Sequence, residues 1–272
     1  MNAAVVEGRP VPTARRAIAE LWSFWSLGRP VERRCYVIGA ALFAAGLFHL
    51  CVFAVAGGPW EGPVSWRKPV TFGLSFGLTL VTIAWVASFV RLGARARAGL
   101  LGVFAAACVL EFSLVTVQAW RHVPSHFNNE TALDTVISRV LAFGGAVLVV
   151  VIVTLTVAAF RTAPGVTPSM RLAVRVGFAA LDVALAVGGL MIANGMLLVA
   201  GGDQQAAYTV AVSLKPAHAV TMHAILVLPG LAWLLTFTRW PESRRVRAVA
   251  LVSAGYGIAA AAVITVSLLR LR

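Results

Sequence analysis

The stretch Val140–Phe160, VLAFGGAVLVVVIVTLTVAAF, runs 21 residues without a charge and is bounded by Arg139 and Arg161. An α-helix rises about 1.5 Å per residue, so about 20 apolar residues cross the roughly 30 Å of hydrocarbon in a bilayer. No water is present there to satisfy backbone amides, and a helix satisfies them within the segment. Six further runs have the same character: 35–60, 69–90, 98–120, 176–202, 216–238 and 248–269. Only Glu111 and Asp182 interrupt them. The expected fold is therefore all-α, a polytopic transmembrane bundle of about seven spans over residues 35–270, preceded by an N-terminal segment, 1–34.

Composition agrees. Of 272 residues, 60% are hydrophobic and 12% charged, with mean hydropathy +0.87. Soluble domains carry about 25% charged residues, so the solvent for much of this chain is lipid. The net charge of +13 does not indicate nucleic acid, because the 21 arginines and two lysines sit in short clusters between apolar runs. With the N-terminus inside, 16 basic residues fall on the inner side and 7 on the outer. That split predicts a cytoplasmic N-terminus and an external C-terminus; the expected location is a bacterial plasma membrane. The bilayer is an expected partner, and protein partners are left open by the sequence.

No removable signal peptide is expected in residues 1–34. Ile18, Leu21, Trp22 and Trp25 instead recur at helical spacing, which predicts a short interfacial helix or a plain amphipathic cap. Cys35, Cys51 and Cys108 lie in or beside apolar runs without a CxxC and read as packing residues. Asn128 or Asn129 is the expected N-cap of the helix that becomes the fourth span. Val55–Gly58 and Val199–Gly202 both read Val-Ala-Gly-Gly, and each is followed by a Lys-Pro, at Lys68-Pro69 and Lys215-Pro216. A parallel duplication and an ordinary use of Gly and Lys-Pro at helix ends both fit.

The functional signal lies in depth. All five histidines fall outward of the midplane: His49 in span one, His122 and His126 after span three, His218 and His223 opening span six. Ionisable residues in spans are costly and usually face the bundle interior. Positions 111, 118 and 122 place Glu111, Gln118 and His122 along one helical stripe, a candidate polar cavity wall that could include Asn128 and, deeper, Asp182. Asp182 is expected either to pair with an inner arginine such as Arg175 or to point into a cavity. Neutral imidazole ligates haem iron and transition metals. His49, His126, His218 and His223 are thus candidate ligands for haem b or a metal, with His49, His126 and His223 as the metal set. Arg67 and Lys68 are the counter-charges for propionates, or bind lipid phosphate. Two features oppose this: Pro124 breaks any helical pairing of His122 with His126, and His218 and His223 stand about 140° apart on a helix.

Three strings, WRKPVTFGLSFG (66–77), QAWRHVPSHFN (118–128) and HAVTMHA (218–224) before LPGLAW, resemble a family of bacterial multi-span membrane proteins with no known activity. The likeness covers most of spans two to six. It implies a membrane location and a role for His126, Asn128, His218 and His223, and no activity. Three readings stand: a haem- or metal-binding redox protein, a proton-coupled transporter using Glu111 and Asp182, and a non-catalytic membrane factor or sensor. No nucleophile–base pair or phosphate loop marks a hydrolase, and whether the chain is an enzyme stays open.

Overall fold

The computed structural model describes residues 13–161 and 163–271. Arg9 and Arg272 of the charge count, and the first twelve residues of the N-terminal segment, lie outside the described residues. Seven helices are long and apolar enough to span a membrane: α2 (Pro30–Ala56), α3 (Arg67–Ala87), α4 (Ala94–Trp120), α5 (Ala132–Ala159), α6 (Pro168–Ala200), α8 (Lys215–Leu235) and α9 (Glu242–Leu269). A helix α1 (Thr13–Ser26) precedes them, and a short α7 (Gln204–Ala207) and a 3-10 turn lie between α6 and α8. Among the described residues no strand occurs. Large apolar side chains such as Phe143, Leu251 and Ile258 are 68–74% exposed on the bundle's flanks, as lipid contact requires. The protein is a multi-pass membrane protein. The end of the bundle that holds the start of α2 is termed the N-face, and the opposite end the far face.

Two boundaries differ from the sequence expectation. The first span begins at Pro30, where Glu32 accepts the Arg29 backbone N–H at 2.9 Å and Pro30 occupies the first helical turn, which costs no hydrogen bond. Helix α5 is capped by Thr131, whose side chain accepts from Asp134 N at 3.1 Å. Asn128 is not the cap because its amide is already used, donating to Pro124 O and accepting from Glu130 N.

A short set of residues recurs at a spacing of 148. Leu80, Ala84, Trp85, Phe89, Arg91 and Arg97 recur as Leu228, Ala232, Trp233, Phe237, Arg239 and Arg245, and Ser88 is matched by Thr236. The contacts recur with the letters. Ser88 and Thr236 each donate to the carbonyl of the tryptophan three residues earlier, both at 2.6 Å. Trp85 stands edge-on to Phe89 at 5.6 Å, and Trp233 to Phe237 at 5.1 Å. The most extensive helix pairs are α2 with α3 and α6 with α8. Helices α2–α3–α4 and α6–α8–α9 thus form two triplets running in the same direction, with α5 as the linker between them. The Val-Ala-Gly-Gly and Lys-Pro pairs lie at other spacings, 144 (199 − 55) and 147 (215 − 68), so they are not part of this register.

Backbones approach closely in each hairpin. A Cβ on Gly77 would stand 2.6 Å from both Gly39 O and Phe43 N, and one on Gly73 would stand 2.6 Å from Gly46 Cα. Gly73 and Gly77, four apart on α3, present the small face that lets membrane helices pack without a hydrophobic driving force. The second hairpin is looser: a Cβ on Gly177 would lie 3.0 Å from Ile225 Cα.

Several N-face arginines have carbonyl partners within the bundle. Helix C-termini leave carbonyls unpaired at the negative end of the dipole. Arg97 donates to Ala87 O and, at 2.9 Å, to Val90 O past the end of α3. Arg175 donates to Ala159 O and Phe160 O at the end of α5, and Arg245 to Thr236 O and Thr238 O at the end of α8. In each case the arginine of one helix closes the helix before it. Arg97 also faces the buried Glu32 at 3.5 Å.

Candidate functional site

The triplets meet directly mainly where α3 faces α8, a far thinner contact than either hairpin. A cavity of about 140 Å³ opens in that seam. Its walls are equivalent positions of the two repeats: Leu74 and Met222, Ser75 and His223, Leu78 and Leu226. These residues sit at the middle of α3 and α8, hence near the bilayer midplane. Thr79 and Thr82 add hydroxyls on the α3 side, and Phe43 and Leu78 form an exposed rim. His223 is the one ionisable lining residue. Its Nδ1 lies 2.6 Å from Ala219 O, and a carbonyl only accepts, so Nδ1 carries the proton and Nε2 is left free. The cavity can hold a small solute against hydroxyls and one imidazole nitrogen.

The other histidines serve elsewhere. His49 is buried, with Nδ1 donating to Ala45 O at 2.7 Å and Nε2 accepting from Trp120 Nε1 at 3.1 Å, beside Trp66 and Phe112. Both nitrogens are engaged, so no lone pair is left for a metal. His218 Nδ1 donates to Ala184 O at 2.7 Å and ties α8 to α6. His122 lies past the end of α4 with φ +56°, exposed and edge-on to Trp66, so it leaves the stripe that Glu111 and Gln118 keep. His126 pairs through Nδ1 with Ser125 Oγ at 2.9 Å and packs on Phe72 of α3. Burial and the nearby Lys68 ammonium push its pKa down to about 4, so it is neutral at physiological pH.

The far face is closed by the α4–α5 connection. Asp134 is its centre, accepting from Arg121 at 2.6 Å, from Gln118 at 2.9 Å and from Thr131 at 2.7 Å. Phe127 adopts φ +61°, rare for an aromatic residue, and is held there by its N–H on Ser138 Oγ. Its ring lies on Gly195 of α6, where a Cβ would come 2.6 Å from Cε1. With His126 on α3 and Phe127 on α6, the loop bridges the triplets. Lys68 Nζ donates to Pro63 O at 2.6 Å, while Arg67 Nε is buried without a partner.

Two carboxylates flank the linker helix. Glu111 is buried, with Oε1 against Gly144 and without a hydrogen-bond partner. Asp182 lies beside Thr156, and its Oδ1 is likewise buried and unpartnered. The expected pairing with Arg175 is absent, because that guanidinium is used by the α5 carbonyls.

The donor set does not fit the metal or haem reading. Among the described residues, no three His, Cys, Asp or Glu side chains gather where one ion could bind them. Cavities for drug-sized ligands run about 300–1,000 Å³, and the space at His223 is too small for a macrocycle. Sequence reasoning missed Ser75, Thr79, Thr82, Asp134 and the Trp85/Trp233 pair. The repeat at 148 residues and the Gly73-x₃-Gly77 spacing were the signals that could have found the seam. In comparisons with known proteins, no family model, curated protein or solved structure matches the chain significantly.

Proposed function

We propose that the protein is a parallel-repeat transporter for a small polar solute, with the α3/α8 cavity as its midplane site. The observation that carries this reading is a cavity at mid-helix depth, mostly apolar but with three hydroxyl residues and the exposed His223 in its wall, lined on its two sides by matching positions of the two triplets. Transporters built from repeats bind at the midplane between them and alternate access by rocking one unit against the other. A thin seam between two tightly packed hairpins suits such rocking. His223 Nε2 accepts a hydrogen bond from the solute, the Ser75 and Thr79 hydroxyls supply further donors and acceptors, and Thr82 Oγ1, which already donates to Leu78 O, can only accept. Glu111 and Asp182 are the candidate proton carriers in a coupled cycle, since each has a buried oxygen free to take a proton. The N-face is assigned to the cytoplasm of a bacterial cell on the 16-to-7 distribution of basic residues. The resemblance to the family with SHFN and paired-histidine segments fits, because those segments lie at the far-face bridge and along the seam.

Proteoliposomes test the proposal. Vesicles with purified protein should take up at least one labelled small polar solute (polyols, sugars, amino acids) faster than protein-free vesicles. His223→Ala and Thr79→Val should each reduce that rate at least about tenfold, in line with the roughly 1.4 kcal/mol of one lost hydrogen bond. Uptake at the protein-free rate for every solute, with and without a proton gradient, would remove the transport reading.

A further inference from the structure

We propose that α1 is a latch that holds the N-face ends of the two triplets together, so that the α3/α8 seam opens only when α1 lifts. The inference rests on the reading that the triplets move against each other. Its basis is one contact that treats both repeats alike. Phe24 of α1 sits between the equivalent tryptophans, 5.8 Å from the Trp85 ring and 6.3 Å from the Trp233 ring. Both tryptophans lie near the N-face ends of the seam helices α3 and α8. A single ring wedged between equivalent groups of two bodies couples them.

The polar contact shows why the device is one-sided. Trp233 Nε1 donates to Glu20 Oε2 at 2.9 Å, whereas Trp85 Nε1 is buried with no partner. One α1 serves two equivalent sites and can satisfy only one indole. The hold is therefore small, one aromatic wedge and one hydrogen bond, which suits a contact that must break. On the opposite side of α1, Ile18, Leu21 and Trp22 are 55–68% exposed. An amphipathic helix with such a stripe lies in the membrane interface, so α1 has a resting place when it leaves the tryptophans.

The test reads distance, not transport. Spin labels at Arg91 and Arg239, equivalent exposed positions just beyond the seam helices, are introduced with Cys35, Cys51 and Cys108 replaced by serine. Double electron–electron resonance is recorded on the full chain in lipid nanodiscs. The protein with intact α1 should give one narrow distribution. Phe24→Ala should add a longer-distance population, Glu20→Ala a smaller one, and Trp22→Ala on the exposed side none. Should Phe24→Ala not fold, Phe24→Leu, which keeps apolar bulk and loses the ring edges, takes its place. An unchanged distribution in the Phe24 and Glu20 variants overturns the latch, including where their thermal stability falls, since that marks α1 as a prop. The two proposals fail separately: solute uptake with unmoved distances removes the latch, and opening without uptake of any solute removes the transport reading.

Discussion

The first hairpin, α2 against α3, closes on paired glycines; the second, α6 against α8, closes on a looser single-glycine contact and a histidine. In the first, Gly39 meets Gly77 and Gly46 meets Gly73 with no room for a methyl group. In the second, Gly177 is opposite Ile225, and farther along His218 reaches across to Ala184 O. The arginine clamps differ in the same sense. Arg97 and Glu32 are 3% and 4% exposed, whereas Arg245 and Glu242 are 19% and 32% exposed. The two triplets share one helix order and secure it differently: the first by close approach and a buried ion pair, the second by a side-chain bond and wetter charges. The first triplet is the stiffer body, and motion should be referred to it.

The largest test of that difference compares the clamps. Arg97→Ala strands Glu32 in a buried site, and breaking buried pairs costs about 3–5 kcal/mol. Arg29, 2.9 Å from Glu32, offsets part of this, so the expected loss is near the lower figure. Arg245→Ala loses a partly solvated pair and the two carbonyl contacts that close α8, and should cost less than Arg97→Ala by about 1 kcal/mol or more. Equal losses in denaturant unfolding of the two variants in mixed micelles would break the comparison.

Next is the loop that bridges the bodies. The folded-state pKa of His126 is about 4, below the ordinary 6.5, so between these values the unfolded chain binds more protons than the native one. Stability is therefore full above about pH 6.5 and falls as pH drops toward 4, by at most about 3 kcal/mol. His126→Phe removes the titrating group. The difference between wild-type and variant melting temperatures should shrink or reverse across that window, and a parallel pH dependence would show that His126 is not the group responsible.

The smallest effect concerns packing. Gly77→Ala places a methyl group against backbone atoms that cannot turn away, at a cost of about 1–3 kcal/mol. Gly177→Ala meets Ile225 at 3.0 Å, at Cα and at a Cδ1 that can swing aside, a looser fit than the 2.6 Å backbone contacts at Gly77, and should cost less. Matching losses would mean that the two hairpins are equally tight.

How much of this was legible varied with the kind of signal. The seven spans were, because charge-free runs longer than a bilayer is thick admit one backbone solution. The match around Trp85 and Trp233 is hard to read from sequence, because it lies inside apolar runs where shared letters carry little weight, and the Gly-Gly and Lys-Pro pairs fall at other spacings. The histidines misled. Counting residues along each span ranked all five as outward but could not show that His49 spends both nitrogens on Ala45 and Trp120, or that His122 turns out of helix α4. Ser75, Thr79 and Thr82 carry no charge and so gave no signal at all.

By itself the sequence determined that this chain is a bundle of membrane-crossing helices, because hydrocarbon enforces length and internal hydrogen bonding on every span whatever its neighbours. Tertiary structure alone decided which helices meet, and with that which polar groups are consumed and which are left for a ligand. Helix pairing in lipid is set by close packing and a few polar contacts rather than by apolar periodicity, so the gap at α3/α8 and the wedge of Phe24 exist only once both repeats are in place.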